Sequence, residues 1–345
     1  MKEKIIDKHT RLVFSNVDDT KYINVPYYDE SHQTSNENYV SFGTDNTFPN
    51  QLYGLVLQSP TANSIVTGTI EYIKALPKTS QYLDELTYNE LRSACIQDYI
   101  IFGEFFIQLL KNSVGQIVDL IHIPAEMCRM NEDRSRIWVN KKWAKYATNS
   151  VQYKSFEASL KEEEQDPLES LIYVYSNGGN RSVYGKGLFI SALNDIASEA
   201  SASRYIKNSL DSGLASRFII DLPNSANLTD DDKEDIERAI TDKFCGASNA
   251  GKFMLYFNSG DKDLNVSTID NDDSHERFNA IREAAKNNIF IAAHATPNLF
   301  GDPTQTTGFN DQEYESALKL YKMMVINPSI EIFDRSINYI FENKH

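Results

Sequence analysis

The order of elements in the second half of the sequence constrains its fold most: a long helical period, a short strand-helix-strand unit, then a second long helical period. From Leu188 to Asp211, the residues Leu193, Ile196, Ala197, Ala200 and Tyr205 recur at helical spacing. They sit among many Ala and Ser residues, which allow helices to pack closely, and Gly213 is placed to end the helix. A strand is expected over Arg217–Leu222, a helix from the cap Thr229 to Phe244, and a strand over Lys252–Asn258 turning at Ser259-Gly260. Asp230, Asp231 and Asp232 stand in that helix's first turn, where carboxylates favour the dipole. Asp273 and Glu276 make a D-x-x-E variant of the capping box, and Phe278, Ile281, Ala285, Ile289 and Ala292 mark one face of the second long helix, up to Pro297.

Ahead of this block, Asn46-Thr47-Phe48-Pro49-Asn50 marks a turn before Leu52, Leu55, Val56, Ile65, Val66, Ile70 and Ile73, which read as two helices split near Pro60. Leu91, Cys95 and Tyr99 continue at helical spacing. Phe102–Leu110, dense in aromatic and branched residues, reads as a strand that turns at Asn112–Gly115 and returns over Gln116–Ile123. Further strands fit Arg136–Val139 and Leu171–Tyr175, and the acidic run 161–167 between them reads as a solvated loop. Residues 298–310 lack periodicity and form a loop; a last helix runs from Asp311 through Tyr314, Leu318, Tyr321 and Val325. Pro328 removes a backbone donor and should kink or break it before Ile330, Phe333, Ile337 and Ile340 continue.

The chain has 345 residues, 41% of them hydrophobic, enough for about two domains at roughly 150 residues each. Its 49 acidic residues outnumber 34 Lys and Arg, giving a net charge of −15, which excludes a protein that holds DNA by neutralising many phosphates. Cys95, Cys128 and Cys245 form no C-x-x-C pair, so no disulfide framework or structural zinc site is implied and a reducing compartment is expected. The mixed-charge N-terminus has no apolar run of a signal peptide behind it, so export is not expected. The apolar stretches 99–110 and 289–295 fall short of the ~20 residues of a membrane span.

No catalytic pattern stands out. Gly179–Gly187, G-N-R-S-V-Y-G-K-G, superficially resembles a phosphate-binding P-loop, but five residues separate its first two glycines instead of four and Gly187 stands where Ser or Thr would reach magnesium. It reads as a turn entering the long helix, and a soluble phosphate- or nucleotide-handling enzyme built on Gly178–Gly187 is the alternative. Asp270, Asp272 and Asp273 fail as an EF-hand because position six is His275 and position twelve Ile281. The six histidines have no zinc-site spacing, so His122 and His294 read as packing or capping residues. There is no G-x-S-x-G elbow, and no cofactor is implied. The 19 Tyr and 18 Phe lack interleaved Lys and Arg and read as core or subunit contacts.

Taken in order, five stretches resemble the tailed-bacteriophage portal protein (head-to-tail connector) family. They are Asp45–Asn50 leading to Ser59–Val66, the hairpin Phe102–Ile107 to His122-Ile123-Pro124, Tyr184-Gly185-Lys186-Gly187 opening the long helix, and Asn298–Asp302 before a Thr/Gly loop. The resemblance implies an α+β portal fold. Its parts would be a mixed α/β wing (1–186), stem helices (187–211 and 269–297) flanking a small α/β clip (212–268), a tunnel loop (298–310), and a kinked tunnel helix returning to the wing (311–345). Many portals continue into a helical crown; with residues 311–345 alone after the loop, the crown is expected to be absent or minimal.

The family's role is a ring, usually of twelve subunits, at one capsid vertex. It passes double-stranded DNA without sequence specificity, and it meets the terminase large subunit, the head-tail adaptor and the major capsid protein. It is not an enzyme, crosses no membrane, and belongs to the virion, with assembly in the host cytoplasm. The resemblance puts Asp302, Thr304, Gln305, Thr306, Thr307, Gly308 and Asn310 on the DNA-facing loop. It puts Leu193, Ile196, Ala200, Phe278, Ile281, Ala285 and Ile289 in stem packing between subunits, and Asp230, Asp231, Asp232, Glu234 and Glu237 on a partner face of the clip. Small neutral side chains suit a channel that must not grip phosphates. A capsid or tail adaptor without a through-channel is a further alternative.

Overall fold

A computed structural model describes residues 2–7, 10–14, 26, 28, 30–31, 39–144, 149–162, 169–211, 217–222, 228–244, 253–257, 265–269, 274–301 and 311–343. The chain forms two compact units, Met1–Ile23 with Ser198–Glu283, and Asn24–Ala197 with Ala284–His345. These units cut the chain elsewhere than the expected segments do: both boundaries fall inside long helices, and the N-terminal residues, expected with the wing, join the small α/β unit.

In the larger unit, the antiparallel pair β3 (Glu30–Ser31) and β4 (Ser41–Phe42) precedes α1 (Phe48–Gln58), and α1 and α2 (Pro60–Lys74) meet at Ser59. Ser59 caps α2 by accepting from the Ala62 N–H (3.0 Å), and Pro60 fits the first turn, where no N–H is needed. Helix α3 (Glu85–Phe102) runs to Phe102, so the strand expected from there, β5 (Glu104–Lys111), begins two residues later. The physical reason is Gly103: at φ +77° it closes the helix, its N–H donating to the Tyr99 carbonyl, before the chain turns into the strand.

β5 pairs with β6 (Ile117–Ile123), Phe106 opposite Ile123, around the turn expected at Asn112–Gly115. Four further strands complete the sheet: β7 (Cys128–Met130), β8 (Arg136–Val139), β9 (Val151–Ser155) and β10 (Leu171–Ser176). The order is β6-β5-β10-β9-β8-β7, antiparallel except between β10 and β9. A short α4 (Phe156–Ser159) links β9 towards β10. Phe105, Ile107, Leu109 and Ile172 of the sheet are buried, as are Ile96 and Ile100 of α3.

The long helix expected from Leu188 opens as a 3₁₀ turn (Leu188–Ala192) and becomes α5 (Leu193–Asp211). In the smaller unit, β11 (Arg217–Leu222), α6 (Asp230–Phe244) and β12 (Phe253–Phe257) form the expected strand-helix-strand unit, with β11 and β12 parallel. Two partners were not legible locally: β13 (Asn265–Ile269) on β11, and the hairpin β1 (Lys2–Asp7) and β2 (Thr10–Phe14), which adds β2 to β12. The sheet order is β1-β2-β12-β11-β13.

Helix α7 (Ser274–Ala292) ends in a Schellman-type closure: His294 at φ +52° donates its N–H to the Ile291 carbonyl and Ala295 to that of Phe290. Asp273 of the expected capping box lies outside the described residues. Pro328 does not break the last helix. α8 (Asp311–Tyr321) passes through a π-helical turn (Lys322–Ile326) into α9 (Asn327–Glu342), and the Asn327 N–H reaches back five residues to the Lys322 carbonyl. Pro328 falls in the first turn of α9, just past this wider turn, a position that tolerates its missing N–H. Among the described residues no helix is long and apolar enough to cross a membrane.

Candidate functional site: the base of the Gly/Thr loop

The expected loop residues Asp302, Thr304, Gln305, Thr306, Thr307, Gly308 and Asn310 lie outside the described residues; the chain on either side of them is described, and the turn before the loop and the far end of α8 meet on one turn of α2. Pro297–Phe300 is a 3₁₀ turn closed by Gly301 at φ +83°. The Phe300 ring lies over Gly68 of α2, 3.1 Å from where a Cβ would stand. It also meets Phe290 at the end of α7 (centroids 6.3 Å) and the edge of Tyr321 at the end of α8 (5.5 Å, 83°).

Tyr321 is 3% exposed, and its hydroxyl lies 2.7 Å from Thr69 Oγ1. The Thr69 hydroxyl donates back to the Ile65 carbonyl (2.6 Å), so its single proton is committed and Tyr321 is the donor of the pair. Burial pushes the Tyr321 phenol up to about 12. Beyond this base α8 emerges into solvent, with Glu313, Tyr314, Glu315 and Ser316 exposed. Gly68, Thr69, Phe300 and the pairing role of Tyr321 were not singled out from sequence. An isolated glycine inside a helical period was the available signal, since it weakens a helix unless something needs the space.

Gly185 and Gly187 serve a crossing of two backbones. A Cβ on Gly187 would collide with the Ile101 carbonyl, one on Gly185 with Gly103, and one on Gly103 with the Lys186 backbone. Asn177 bridges the crossing, accepting from the Lys186 N–H (2.7 Å) and donating to its carbonyl (2.9 Å). The Gly185 N–H donates to Glu104 Oε2 (2.7 Å), and burial pushes that carboxyl up to about 8. Lys186 Nζ rests over the Tyr28 ring, 5.1 Å from its centroid. Amides aimed at a buried carboxyl and a side-chain amide are not a phosphate cradle, so the nucleotide alternative loses its site.

The Asp45–Asn50 stretch is also structural. Asn46, at φ +61° and buried, accepts from the Phe42 N–H (2.9 Å) and from Arg129 Nε (2.7 Å) through Oδ1. Arg129 Nη2 donates to its carbonyl (2.6 Å). His122, read as a structural residue, has Nε2 2.7 Å from Asp98 Oδ2, which also accepts from the Ala125 N–H (2.9 Å).

Of the stem residues, Leu193, Ile196, Ala200, Ala285 and Ile289 are buried within the single chain. Phe278 is half-buried and stacks on Tyr205 (centroids 4.0 Å), and in the other unit Asp195 of α5 accepts from Asn288 of α7 (2.8 Å). Ile281 is 49% exposed and Ile291, not singled out from sequence, 72%. On α6, Asp230, Asp231, Asp232 and Glu234 are exposed; the side chain of Glu237 lies outside the described set. Thr229 and Asp232 form a reciprocal cap, Asp232 Oδ2 accepting from the Thr229 N–H (3.0 Å) and Thr229 Oγ1 from the Asp232 N–H (3.2 Å).

A family model for phage portal proteins matches residues 83–341, spanning both sides of the loop and the glycine crossing. The chain belongs to the phage portal protein family. It is 23% identical over 292 residues to a probable portal protein of Haemophilus phage HP1 (strain HP1c1), covering 84% of this chain and 76% of that one. Two solved structures share the fold. One is a chain from the virion of a native gene transfer agent particle (TM-score 0.55, 16% identity, 88% of this chain and 83% of that chain). The other is a chain from the neck of the native particle computed with C12 symmetry (TM-score 0.53, 14% identity, 86% and 81%). The portal family accounts for the α+β architecture.

Proposed function

We propose that the chain forms a ring at the unique capsid vertex, the channel through which double-stranded DNA is packaged and ejected and the docking site for the terminase large subunit and the head-tail adaptor. Membership of the portal family over residues 83–341 carries this reading. In it, residues 39–186 serve as the wing, α5 and α7 as the stem, and 212–268 with the N-terminal hairpin as the clip. The 302–310 loop faces DNA, α6 offers its acidic face to a partner, and the major capsid protein surrounds the ring. The twelvefold symmetry of the neck in the gene transfer agent supports twelve subunits. The protein then works in the virion after assembly in the host cytoplasm, and it acts as a conduit, not an enzyme.

Stem contact between subunits falls to side chains the single chain leaves uncovered, Ile281 and Ile291, with Phe278 at their margin; the five buried positions support the helices from inside. Negative-stain electron microscopy with a light-scattering mass tests the reading, with rings of about a dozen subunits around an axial hole as the expected result. Ile281→Asp, exposed in one chain and desolvated between two, should leave the subunit folded and disperse the rings. A monomer at all concentrations, with or without capsid proteins, would overturn it.

A further inference from the structure

Resting on the portal reading, we infer that Gly68, Thr69, Phe300 and Tyr321 form a clamp that positions the channel helix α8 from α2. Gly68 lies inside α2, where glycine costs helix stability relative to alanine. The space that its missing side chain leaves is filled by the Phe300 ring, with Cδ1 and Cε1 both 3.1 Å from the Cβ site. On the next residue of α2, the Thr69 hydroxyl is turned back onto the Ile65 carbonyl, leaving its oxygen to receive the Tyr321 proton.

Phe300 and Tyr321 touch each other edge to face, so one α2 turn holds the residue before the loop and the last residue of α8 together. Along α8 the apolar stripe passes from Tyr321 at 3% exposure, through half-buried Leu318 and Ala317, to Tyr314 at 42%. The helix is thus seated at its C-terminal end and uncovered at the other. The π-helical turn begins at Lys322, immediately past the clamp, so α8 meets Thr69 in its own register while α9 keeps Phe333, Ile337 and Ile340 in the core. The clamp makes α2 the element that sets the direction of α8. Gly68 and Tyr321 are positioning residues for the conduit; they need not touch DNA.

Hydrogen exchange of the assembled full-length protein tests this, read separately over 312–320 and over α3 and β5. Gly68→Ala, whose new Cβ would push the Phe300 ring off by a few tenths of an ångström, should speed exchange in α8 severalfold. Tyr321→Phe, which removes one oxygen, should speed it severalfold. Both should leave α3, β5 and the subunit number of the ring unchanged, and lower the DNA retained in filled particles. Thr69→Val leaves the buried Tyr321 hydroxyl without its acceptor and should exceed Tyr321→Phe, and the double variant should be no worse than Thr69→Val alone. Leu320→Ala, exposed beside the clamp, is the control and should leave α8 exchange unchanged.

Unchanged α8 exchange in both Gly68→Ala and Tyr321→Phe overturns the clamp. So does exchange that rises equally in α3 and β5, because that is general destabilisation. If Gly68→Ala fails to fold, Tyr321→Phe and Thr69→Val decide alone. Absence of rings in the parent protein refutes the portal reading, and α8 exchange in the monomer still reads the clamp.

Discussion

The core of the larger unit and the acidic turn of α6 in the smaller one carry charge in opposite ways. In the larger, Arg92, Arg129, Asp98 and Glu104 are buried, and each meets backbone: Arg92 the carbonyls of Ile73, Leu76 and Pro77, Arg129 those of Asn46, Glu126 and Cys128, Asp98 the Ala125 N–H beside the His122 ring, and Glu104 the Gly185 N–H. In the smaller, α6 spreads Asp230, Asp231, Asp232 and Glu234 into solvent. The same residue types are structural pins in one place and a solvated face in the other. What separates them is whether distant backbone arrives to meet them, and that is a property of topology.

The harshest test of the pinned region is Gly187→Ala. Its Cβ would collide with the Ile101 carbonyl, and no flexible side chain stands there to yield. Destabilisation of about 3 kcal/mol or more is expected by chemical denaturation of the full chain. Gly179→Ala, in the same segment with open space around its Cβ site, is strained only by its φ of +60° and should cost about 1 kcal/mol. Equal losses would mean that the crossing is looser than it looks.

Arg129→Met comes next. Its guanidinium also lies over the Trp143 ring (4.7 Å), and removing it leaves the buried carbonyl of Asn46 without its donor. We expect a loss of about 3 kcal/mol, measured in denaturant. A loss of a few tenths would put Arg129 with the solvated charges instead.

How far the sequence revealed this organisation depended on where the partners lay. β11, α6 and β12 were legible because alternation, a Thr cap and turn residues are local signals. β13 and the β1–β2 hairpin were not, because their pairing partners are remote in the chain. Glu104 stands inside the apolar stretch 99–110 with no partner nearby in sequence: the Gly185 amide is 81 residues away, and Asn46 is 83 from Arg129. The Tyr184–Gly187 motif was visible as a pattern, but its reason, two backbones in contact, needs the Gly103 turn from another element. The loop base was hidden for the same cause. The stem helices were found by period, yet period marks an apolar face and does not say whether the chain's own core or a second subunit covers it.

The buried and solvated carboxyls should also respond to pH with opposite signs. Burial raises Glu104 from 4.5 to about 8, so the folded state holds a proton that the unfolded chain gives up. The stabilisation is complete below pH 4.5 and declines as pH rises towards 8. Glu104→Gln keeps an acceptor for Gly185 and cannot ionise, so its melting temperature should lose this decline and overtake the parent's above pH 7. If parent and variant follow parallel curves from pH 4.5 to 8, Glu104 is not protonated in the fold.

Asp232 runs the other way, with the smallest effect. Hydrogen bonds from the Thr229 hydroxyl and N–H hold its carboxyl below the usual 3.8. The folded state therefore favours the ionised form, and its stabilisation is present above pH 3.8 and lost as pH falls through the lowered value. Asp232→Asn should lower the melting temperature of the smaller unit slightly at pH 6, by an amount that shrinks as pH falls below 3.8. Its neighbour Asp231→Asn, exposed on the same turn without those bonds, should not change it. A shift for Asp231→Asn as large as that for Asp232→Asn would assign the effect to the helix dipole and not to the cap. That would narrow the contrast between the units, because charge on α6 would then also act through backbone groups.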